Sequence, residues 1–241
     1  MVTGEPGRGP ISAAELAAQL GNRLPGPAAV PAPSFTLVER VRDLVEAVVT
    51  TDVTAEVRAE AAAEIAMVTE RLRARRRNEA VFLVRHPDGR VESLLQAGSG
   101  RLNPQAPPVQ WVERPAEPGA GTSPRPVEVK ARCTFNASHG GSPGRVYGGV
   151  VALVLDEVLG VAATAAGATG MTVSLTVTLK AATPLGVPVE ITGRYTHSEG
   201  RKSYATGEVR VGDVVTAEAA AVFVAPGTAR QPPRLRRPRQ P

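Results

Sequence analysis

The segment from residue 144 to 179 constrains the fold more than any other part of this chain. It opens with Gly-Arg-Val-Tyr-Gly-Gly, continues as a long apolar run, and ends in strictly alternating apolar and polar residues. The apolar run from Gly149 to Ala166 has the length of a helix, and its only charged residues are Asp156 and Glu157. Because a carboxylate is costly to bury, such a group in an oily helix is usually paired, protonated or part of a functional site.

The alternating run from Met171 to Lys180 predicts a half-buried β-strand. A similar alternation precedes the helix from Val127 to Phe135, and three further strands are predicted at roughly 187–197, 201–211 and 214–224. One strand, a long apolar helix and four consecutive strands indicate an α+β domain. We expect an antiparallel sheet of about five to six strands that covers this helix, which is apolar on nearly every side.

Composition divides the rest of the chain into segments. Residues 1–33 and 225–241 are predicted to be disordered, the second as a basic tail, and residues 97–126 an extended Pro/Gly-rich linker. Residues 34–96 are predicted to form two amphipathic helices, packed as a hairpin on the main domain, and then a small β-hairpin. The main domain is then expected to span residues 127–224.

Each of the two predicted helices has one apolar face. The faces consist of Leu37, Val41, Leu44, Val45 and Val48 in the first helix, and of Val57, Ala61, Ile65, Val68 and Leu72 in the second.

Composition also argues against several classes of protein. The net charge of +5 comes mainly from arginine, aromatic residues make up only 3%, and no nucleic-acid-binding motif occurs, so we expect no nucleic-acid partner. Cys133 is the only cysteine, which excludes an internal disulfide. His86, His139 and His197 lack metal-ligand spacing, so we expect no metal. No serine lies in a nucleophile-elbow pattern, which argues against a serine hydrolase.

The acids near the middle of the apolar helix, and its modest length, argue against a membrane span. The N-terminus lacks a basic region followed by an apolar run, the mark of a secretory signal. We therefore expect a cytoplasmic protein without a membrane partner.

Three motifs occur in order along the second half of the chain. They are Pro-Gly-Arg-Val-Tyr-Gly-Gly followed, after six intervening residues, by Asp-Glu, then Leu-Lys-Ala-Ala-Thr-Pro-Leu-Gly at 179–186, and Glu-Gly-Arg-Lys at 199–202. As a set, over roughly residues 100–224, they resemble hotdog-fold acyl-CoA thioesterases of the phenylacetic-acid-degradation (PaaI-like) superfamily. The resemblance implies a sheet wrapped around a central helix, an N-terminal helical extension as in some relatives, and paired subunits whose interface builds the active sites.

The resemblance also implies roles for individual residues. Gly149, with Gly148 close by, would offer backbone N–H groups to the thioester carbonyl at the positive end of the helix. Asp156, on the same helix face, would act as general base on water or as nucleophile. Thr172, on the polar face of the next strand, matches a hydroxyl that helps to position the water.

The predicted substrate-binding residues are Tyr147, Ser174, Arg201 and Lys202. The last two match a basic pair that approaches CoA phosphates in the family, a role suited to an arginine fork. The family usually has histidine at the position of Tyr147 and often glutamate at Gly140. A tyrosine can still donate a hydrogen bond there.

The residues alone leave other interpretations open. Asp156 can also cap a loop or pair with Arg145 or Arg201, Thr172 can be one more solvent-facing strand residue, and a glycine pair can serve close helix–sheet packing.

On the resemblance we expect a metal-independent acyl-CoA thioesterase without a cofactor, working as a homodimer or homotetramer. The alternatives are a non-catalytic or very slow acyl-CoA-binding hotdog protein, and a dimerisation module whose N-terminal helices or Arg-rich tail recruit a partner.

Overall fold

The computed structural model describes residues 24–76, 82–118 and 124–225. Its helices are α1 (Ala32–Thr50), α2 (Ala55–Arg73) and α3 (Gly148–Ala165). Its strands are β1 (Leu83–Arg85), β2 (Val91–Ser93), β3 (Gln110–Glu113), β4 (Val127–Thr134), β5 (Gly140–Ser142), β6 (Arg145–Val146), β7 (Met171–Leu179), β8 (Pro188–Glu199), β9 (Lys202–Val211) and β10 (Val214–Val224).

The main body is a six-stranded sheet in the order β3-β4-β8-β9-β10-β7. Every neighbouring pair in it is antiparallel. The alternation predicted from residue 171 forms β7, and the predicted apolar helix forms α3. The expected α+β architecture, one sheet over one long helix, is therefore confirmed.

One side of α3 packs on the inner face of this sheet. Val154, Leu155, Val158 and Leu159 are fully buried there, and burying each such side chain stabilises the fold by about 1.5–3 kcal/mol. By length and composition alone α3 also qualifies as a membrane span, the one helix of the described ranges that does. Its buried side has the packing of a core helix.

The opposite side of α3 is not covered by the sheet. Gly149 and Leu153 are exposed, and Asp156 is half-buried. This side of the helix, although largely apolar, is therefore open in a single chain. The strands meet one side of the helix, and β7 ends the sheet beside the other.

Two glycines let α3 approach the sheet closely. Gly193 and Gly207 lie opposite each other on β8 and β9. A Cβ atom at Gly193 would lie 2.9 Å from Val158 Cγ1, and one at Gly207 would lie 2.9 Å from Leu159 Cδ2. The distance between helix and sheet therefore depends on these positions having no side chain.

The N-terminal helices differ in how they pack. Helix α1 contacts the short 3-10 helix at Ala137–His139, and the Arg42 guanidinium donates to the carbonyls of Asn103 and Ala106, both at 3.1 Å. Helix α2 has no buried residue. The predicted packing of a helical hairpin on the main domain thus applies to α1, whereas α2 projects from it.

The segment 97–126, predicted as an extended linker, packs on the domain in its described part. Gly98 and Gly100 are buried, and β3 joins the main sheet by pairing with β4, with Trp111 opposite Ala131. The sheet therefore begins before the predicted boundary at residue 127.

Strands β1 and β2 form the small hairpin predicted within residues 80–96. Val30 is buried against Val84 and Leu94, so the described part of the segment predicted as disordered is packed from residue 24 onward. The remainder of that segment, residues 1–23, and the predicted tail from 226 to 241 lie outside the described residues.

Candidate active site

Asp156 and Thr172 meet where α3 faces the beginning of β7. Thr172 Oγ1 donates a hydrogen bond of 3.0 Å to Asp156 Oδ1. No ion pair of the described residues involves Asp156. The arrangement in which this carboxylate pairs with Arg145 or Arg201 is therefore not the one adopted, and its described side-chain partner is a strand hydroxyl.

A β-bulge in β7 turns Thr172 toward the helix. Thr172 lies opposite Phe223 of β10, whereas Ser174 lies opposite the adjacent Val222. Between them β7 has one extra residue, Val173. Such an insertion changes which face of the sheet the preceding side chains occupy.

The same bulge separates Thr172 from the other predicted hydroxyl on this strand. Leu175 and Val177 pack against the core on the inner face of the sheet. Because side chains alternate along a strand, Ser174 points to the outer face. The structure therefore brings Thr172 to Asp156 and does not bring Ser174 there.

The N-terminus of α3 presents two unpaired backbone donors. The Tyr147 carbonyl accepts from the N–H groups of Val150 at 2.9 Å and of Val151 at 3.3 Å. Within the described chain no acceptor is found for the N–H of Gly148 or Gly149, and no side chain caps the helix. N–H groups at the positive end of a helix suit an anion or a developing oxyanion.

The Tyr147 ring stands directly beside these donors. A Cβ atom at Gly149 would lie 2.6 Å from Tyr147 Cε1, and one at Gly141 would lie 2.9 Å from Tyr147 Cα. Both positions must therefore lack a side chain if the ring is to keep its place. The side chain is 61% exposed, so the ring also borders open space at the helix end.

The loop that leads into α3 is organised by His139, one of the three histidines that lack metal-ligand spacing. Its Nδ1 accepts the backbone N–H of Asn136 at 3.2 Å, and its carbonyl accepts the N–H of Tyr147 at 2.9 Å. Desolvation by burial lowers the pKa of His139, which favours the neutral ring that this accepting role requires. The feature of the sequence that indicates this role is the Asn-x-x-His spacing, which here forms a capping box.

Glu157, next to Asp156 in the chain, faces the N-terminal extension. Its carboxylate accepts hydrogen bonds from Ser99 Oγ at 2.6 Å and from Gln96 Nε2 at 3.1 Å. A Cβ atom at Gly98 would lie 2.6 Å from the Glu157 Cβ. Asp156 and Glu157 therefore have different roles, because Glu157 holds the N-terminal extension against the helix.

The basic turn between β8 and β9 lies at the same end of the sheet as Thr172. Lys202 lies opposite Val224 in the β9–β10 ladder, and Thr172 lies opposite the preceding residue of β10. Two strand spacings separate the turn from Thr172, roughly 10 Å. Arg201 donates twice to the Ala225 carbonyl, at 2.7 and 3.2 Å, and both basic side chains are exposed.

No group of three or more His, Cys, Asp or Glu side chains in the described ranges could hold a metal ion. Cys133 is buried, and desolvation raises the pKa of its thiol to about 12, which excludes it as a nucleophile near neutral pH.

Comparisons with known proteins indicate the family and the fold. Residues 143–218 match the family model described as the thioesterase superfamily. A crystal structure described as a thioesterase superfamily protein is 29% identical, covers 83% of this chain and 97% of its own, and gives a TM-score of 0.67.

More distant structures are also similar. One is a hypothetical thioesterase with coenzyme A from Streptococcus pneumoniae TIGR4, 15% identical over 48% of this chain and 87% of its own, with a TM-score of 0.42. Another is a putative thioesterase, phenylacetic acid degradation-related, from Ralstonia eutropha JMP134, 20% identical over 41% of this chain and 76% of its own, with a TM-score of 0.38. A search of curated protein sequences found no match. With the sheet, the helix and these matches in agreement, the chain has the hotdog fold, and its residues 143–218 are similar to the thioesterase superfamily.

Proposed function

We propose that this protein hydrolyses acyl-CoA thioesters to the free acid and CoA without a metal ion. The observation that carries the proposal is the hydrogen bond of 3.0 Å from Thr172 to Asp156. It fixes a carboxylate on the open side of a helix whose first N–H groups have no described acceptor. A carboxylate and an oxyanion-binding helix end are the two components that acyl transfer to water needs.

Asp156 would act as the general base. Its Oδ1 atom accepts the Thr172 hydroxyl, whereas Oδ2 has no donor among the described residues, so Oδ2 is available to take a proton from water. The hydroxide equivalent attacks the carbonyl carbon, and the N–H groups of Gly148 and Gly149 stabilise the charge on the carbonyl oxygen. The C–S bond then breaks, and the departing thiolate takes up the proton that Asp156 received from water, which regenerates the carboxylate.

The same carboxylate could instead attack the thioester directly and form an anhydride. In a single turnover in ¹⁸O-labelled water, attack of water on the Asp156 carbonyl of that anhydride leaves label in the enzyme, which the general-base route never does. We expect the label in the product acid only, because Asp156 activates water. Label in the Asp156 side chain would assign it as the nucleophile.

The spacing along α3 indicates that one site uses two chains. Gly149 and Asp156 are seven residues apart, which corresponds to roughly 10 Å along a helix. The N–H group of one and the carboxylate of the other cannot both reach the same thioester carbon. We propose a homodimer in which Gly149 of one chain serves with Asp156 of its partner.

The edge strand β7 supplies a surface for this association. Met171, Val173 and Leu179 are 67%, 60% and 57% exposed, although they are large apolar side chains. As an edge strand, β7 also has one side free for pairing with a second strand. Antiparallel pairing with the β7 strand of a second copy would extend the sheet and place two α3 helices side by side. A dimer of dimers is compatible with the same contact.

CoA would bind across the basic turn. Arg201 and Lys202 are exposed at the sheet end that carries Thr172. Phosphate groups suit such cations, and the Arg201 guanidinium is already oriented by its bonds to Ala225. Replacing both basic residues by glutamine should raise KM for acyl-CoA more than it lowers kcat.

A thiol-release assay over acyl-CoA esters of varied chain length tests the proposal. The matched control is Asp156→Asn, which keeps the shape of the side chain and removes the base. Losing a general base typically lowers the rate by about 10²- to 10⁴-fold, and circular dichroism should show that the variant stays folded. A folded Asp156→Asn variant with retained turnover would overturn the assignment.

The Tyr147 ring supports a second candidate, a non-catalytic or very slow acyl-CoA-binding protein. Its Cε1 atom occupies the space directly beside Gly149, where the thioester carbonyl must approach.

Tyr147→Phe removes only the hydroxyl, whereas Tyr147→Ala removes the ring. If the hydroxyl donates to the carbonyl, both variants lose activity. If the ring obstructs the site, Tyr147→Ala gains activity and Tyr147→Phe does not. CoA-ester binding without thiol release in the unmodified protein would establish the binding function.

A further inference from the structure

Helix α2 is long and has almost no contact with the rest of the chain. It runs from Ala55 to Arg73 over 19 residues, none of them buried, and all but Thr69 are exposed. Isolated helices of this length are marginally stable in water, and most helices in proteins are stabilised by packing an apolar face. The face that would pack is present in α2 and uncovered.

That face has the spacing of a coiled-coil seam. Ala61, Ile65, Val68 and Leu72 recur at intervals of four, three and four residues, which places them along one line of the helix. Ile65, Val68 and Leu72 are 37%, 40% and 52% exposed. We call these four residues the α2 seam.

Charged residues flank the α2 seam in an order that changes sign along the helix. Glu60 and Glu64 lie on one flank in its first half, and Arg71 lies on the same flank near its end. Two parallel copies would place acids beside acids and arginines beside arginines. Two antiparallel copies would place the acids of each beside the arginines of the other, the arrangement that flanking charges favour in coiled coils.

We propose that α2 pairs antiparallel with the α2 helix of a second copy of this chain. In the register that matches both seam and charges, Ile65 of one copy lies opposite Val68 of the other, and Ala61 lies opposite Leu72. Glu64 then lies beside Arg71. Each contact occurs twice because the two copies are related by a two-fold axis, as in most homo-oligomers.

The charges on α2 favour a second copy over a membrane surface. Helix α2 carries four glutamates and three arginines, namely Glu56, Glu60, Glu64 and Glu70, and Arg58, Arg71 and Arg73. Helices that bind membranes carry mainly Lys and Arg beside the apolar face, whereas glutamates flank the α2 seam in its first half. The pairing does not depend on the proposed hydrolase activity, because α2 contributes no residue to the site at Asp156.

Site-specific disulfide formation tests both the pairing and its direction. The native Cys133 is buried and does not compete for oxidation. Chains with Ile65→Cys and chains with Val68→Cys are co-expressed, purified and oxidised mildly, and their crosslinking is compared with that of each variant alone. The matched control is Ala63→Cys, an exposed alanine on the side of the helix opposite the seam.

The expected result is a covalent heterodimer of the two variants that forms at least about tenfold faster than the Ala63→Cys dimer. Fastest crosslinking of Ile65→Cys with itself would overturn the antiparallel direction. Crosslinking no faster than the control would overturn the pairing, and so would Ile65-dependent binding to phosphatidylserine vesicles in its place.

The charges provide a second, independent readout. On the cysteine background, Arg71→Glu should slow heterodimer formation about fivefold, because it replaces two attractive pairs by repulsive ones. The double variant Glu64→Arg with Arg71→Glu restores both pairs in reverse and should recover the rate. A double variant as slow as the single one would contradict the proposed register.

Discussion

Replacing Gly207 by alanine should destabilise the domain strongly, because the added methyl group has no space. A Cβ atom there would lie 2.4 Å from the Thr192 carbonyl oxygen and 2.9 Å from Leu159 Cδ2. The carbonyl belongs to the backbone of β8, which is paired on both sides, so it cannot move aside as the end of a flexible side chain can. Helix α3 must then shift outward, or the β8–β9 ladder must distort.

The size of the effect follows from this choice. Overpacking a tight core typically costs about 1–3 kcal/mol, and contact with backbone favours the upper part of that range. For a domain of this size a loss of about 3 kcal/mol lowers the melting temperature by roughly 10 °C. Urea unfolding followed by Trp111 fluorescence measures this loss of stability directly. Trp111 is the only tryptophan of the chain, and it packs partly against the core.

Gly160→Ala is the matched control with the opposite expected sign. A Cβ atom at this helical position meets nothing within the chain nearer than Phe223 Cε1, at 3.7 Å. Alanine is favoured over glycine within a helix by about 0.8–1 kcal/mol, so this variant should match or exceed the unmodified protein in stability. A Gly207→Ala variant within about 0.5 kcal/mol of the unmodified protein would refute the close-packing argument.

Three further predictions concern the site and its surroundings. Thr172→Val should lower kcat about tenfold, whereas Thr172→Ser should stay within about threefold, because only the hydroxyl donates to Asp156. Equal losses in both would show that the hydroxyl is not the active feature, and the Val substitution should add little to Asp156→Asn. The folded-state pKa of His139 lies below its ordinary value of 6.5, so as the pH falls the unfolded chain takes up this proton first, and stability should decline below about pH 6.5. Denaturant titrations from pH 7.5 to 5 should therefore show a shallower decline for His139→Gln, and an unchanged slope would contradict the buried neutral ring. Cys133 should react with a maleimide in the native protein at least about a hundredfold more slowly than in denaturant, because its thiol is buried and its pKa is raised to about 12; rapid native labelling would contradict that burial.

The sequence predicted those parts of the fold in which one regular pattern runs without interruption. The alternation from Met171 and the apolar run from Gly149 correspond to β7 and α3 within one residue. Strand β3 was assigned to a linker because it is a short edge strand on which only Trp111 is partly buried, so it shows no alternation. For α2 the pattern indicated that a face packs, but an amphipathic helix does not specify whether its partner lies in the same chain.

The sequence predicted the residue types of the candidate site better than it predicted the directions in which their side chains point. Thr172 and Ser174 are two residues apart, so regular alternation places their side chains on the same face. The bulge at Val173 separates them, and nothing in the sequence marks it. The place of the Tyr147 ring between two glycine positions was equally hidden, since it depends on a backbone approach that only the folded chain shows.

Burying the Asp156 carboxylate in an apolar helix costs free energy, and the fold limits that cost. The sheet covers the other side of α3, so the carboxylate is only half-buried in a single chain and keeps a hydroxyl partner. The same uncovered side exposes Leu153 to 36% and borders the apolar edge at Met171 and Val173, a surface that favours association. Association would also bring to Asp156 the helix N-terminus that its own chain holds roughly 10 Å away. Catalysis then depends on the β7 contact, and Val173→Asp, which places a charge in that contact, should lower turnover although every site residue is intact.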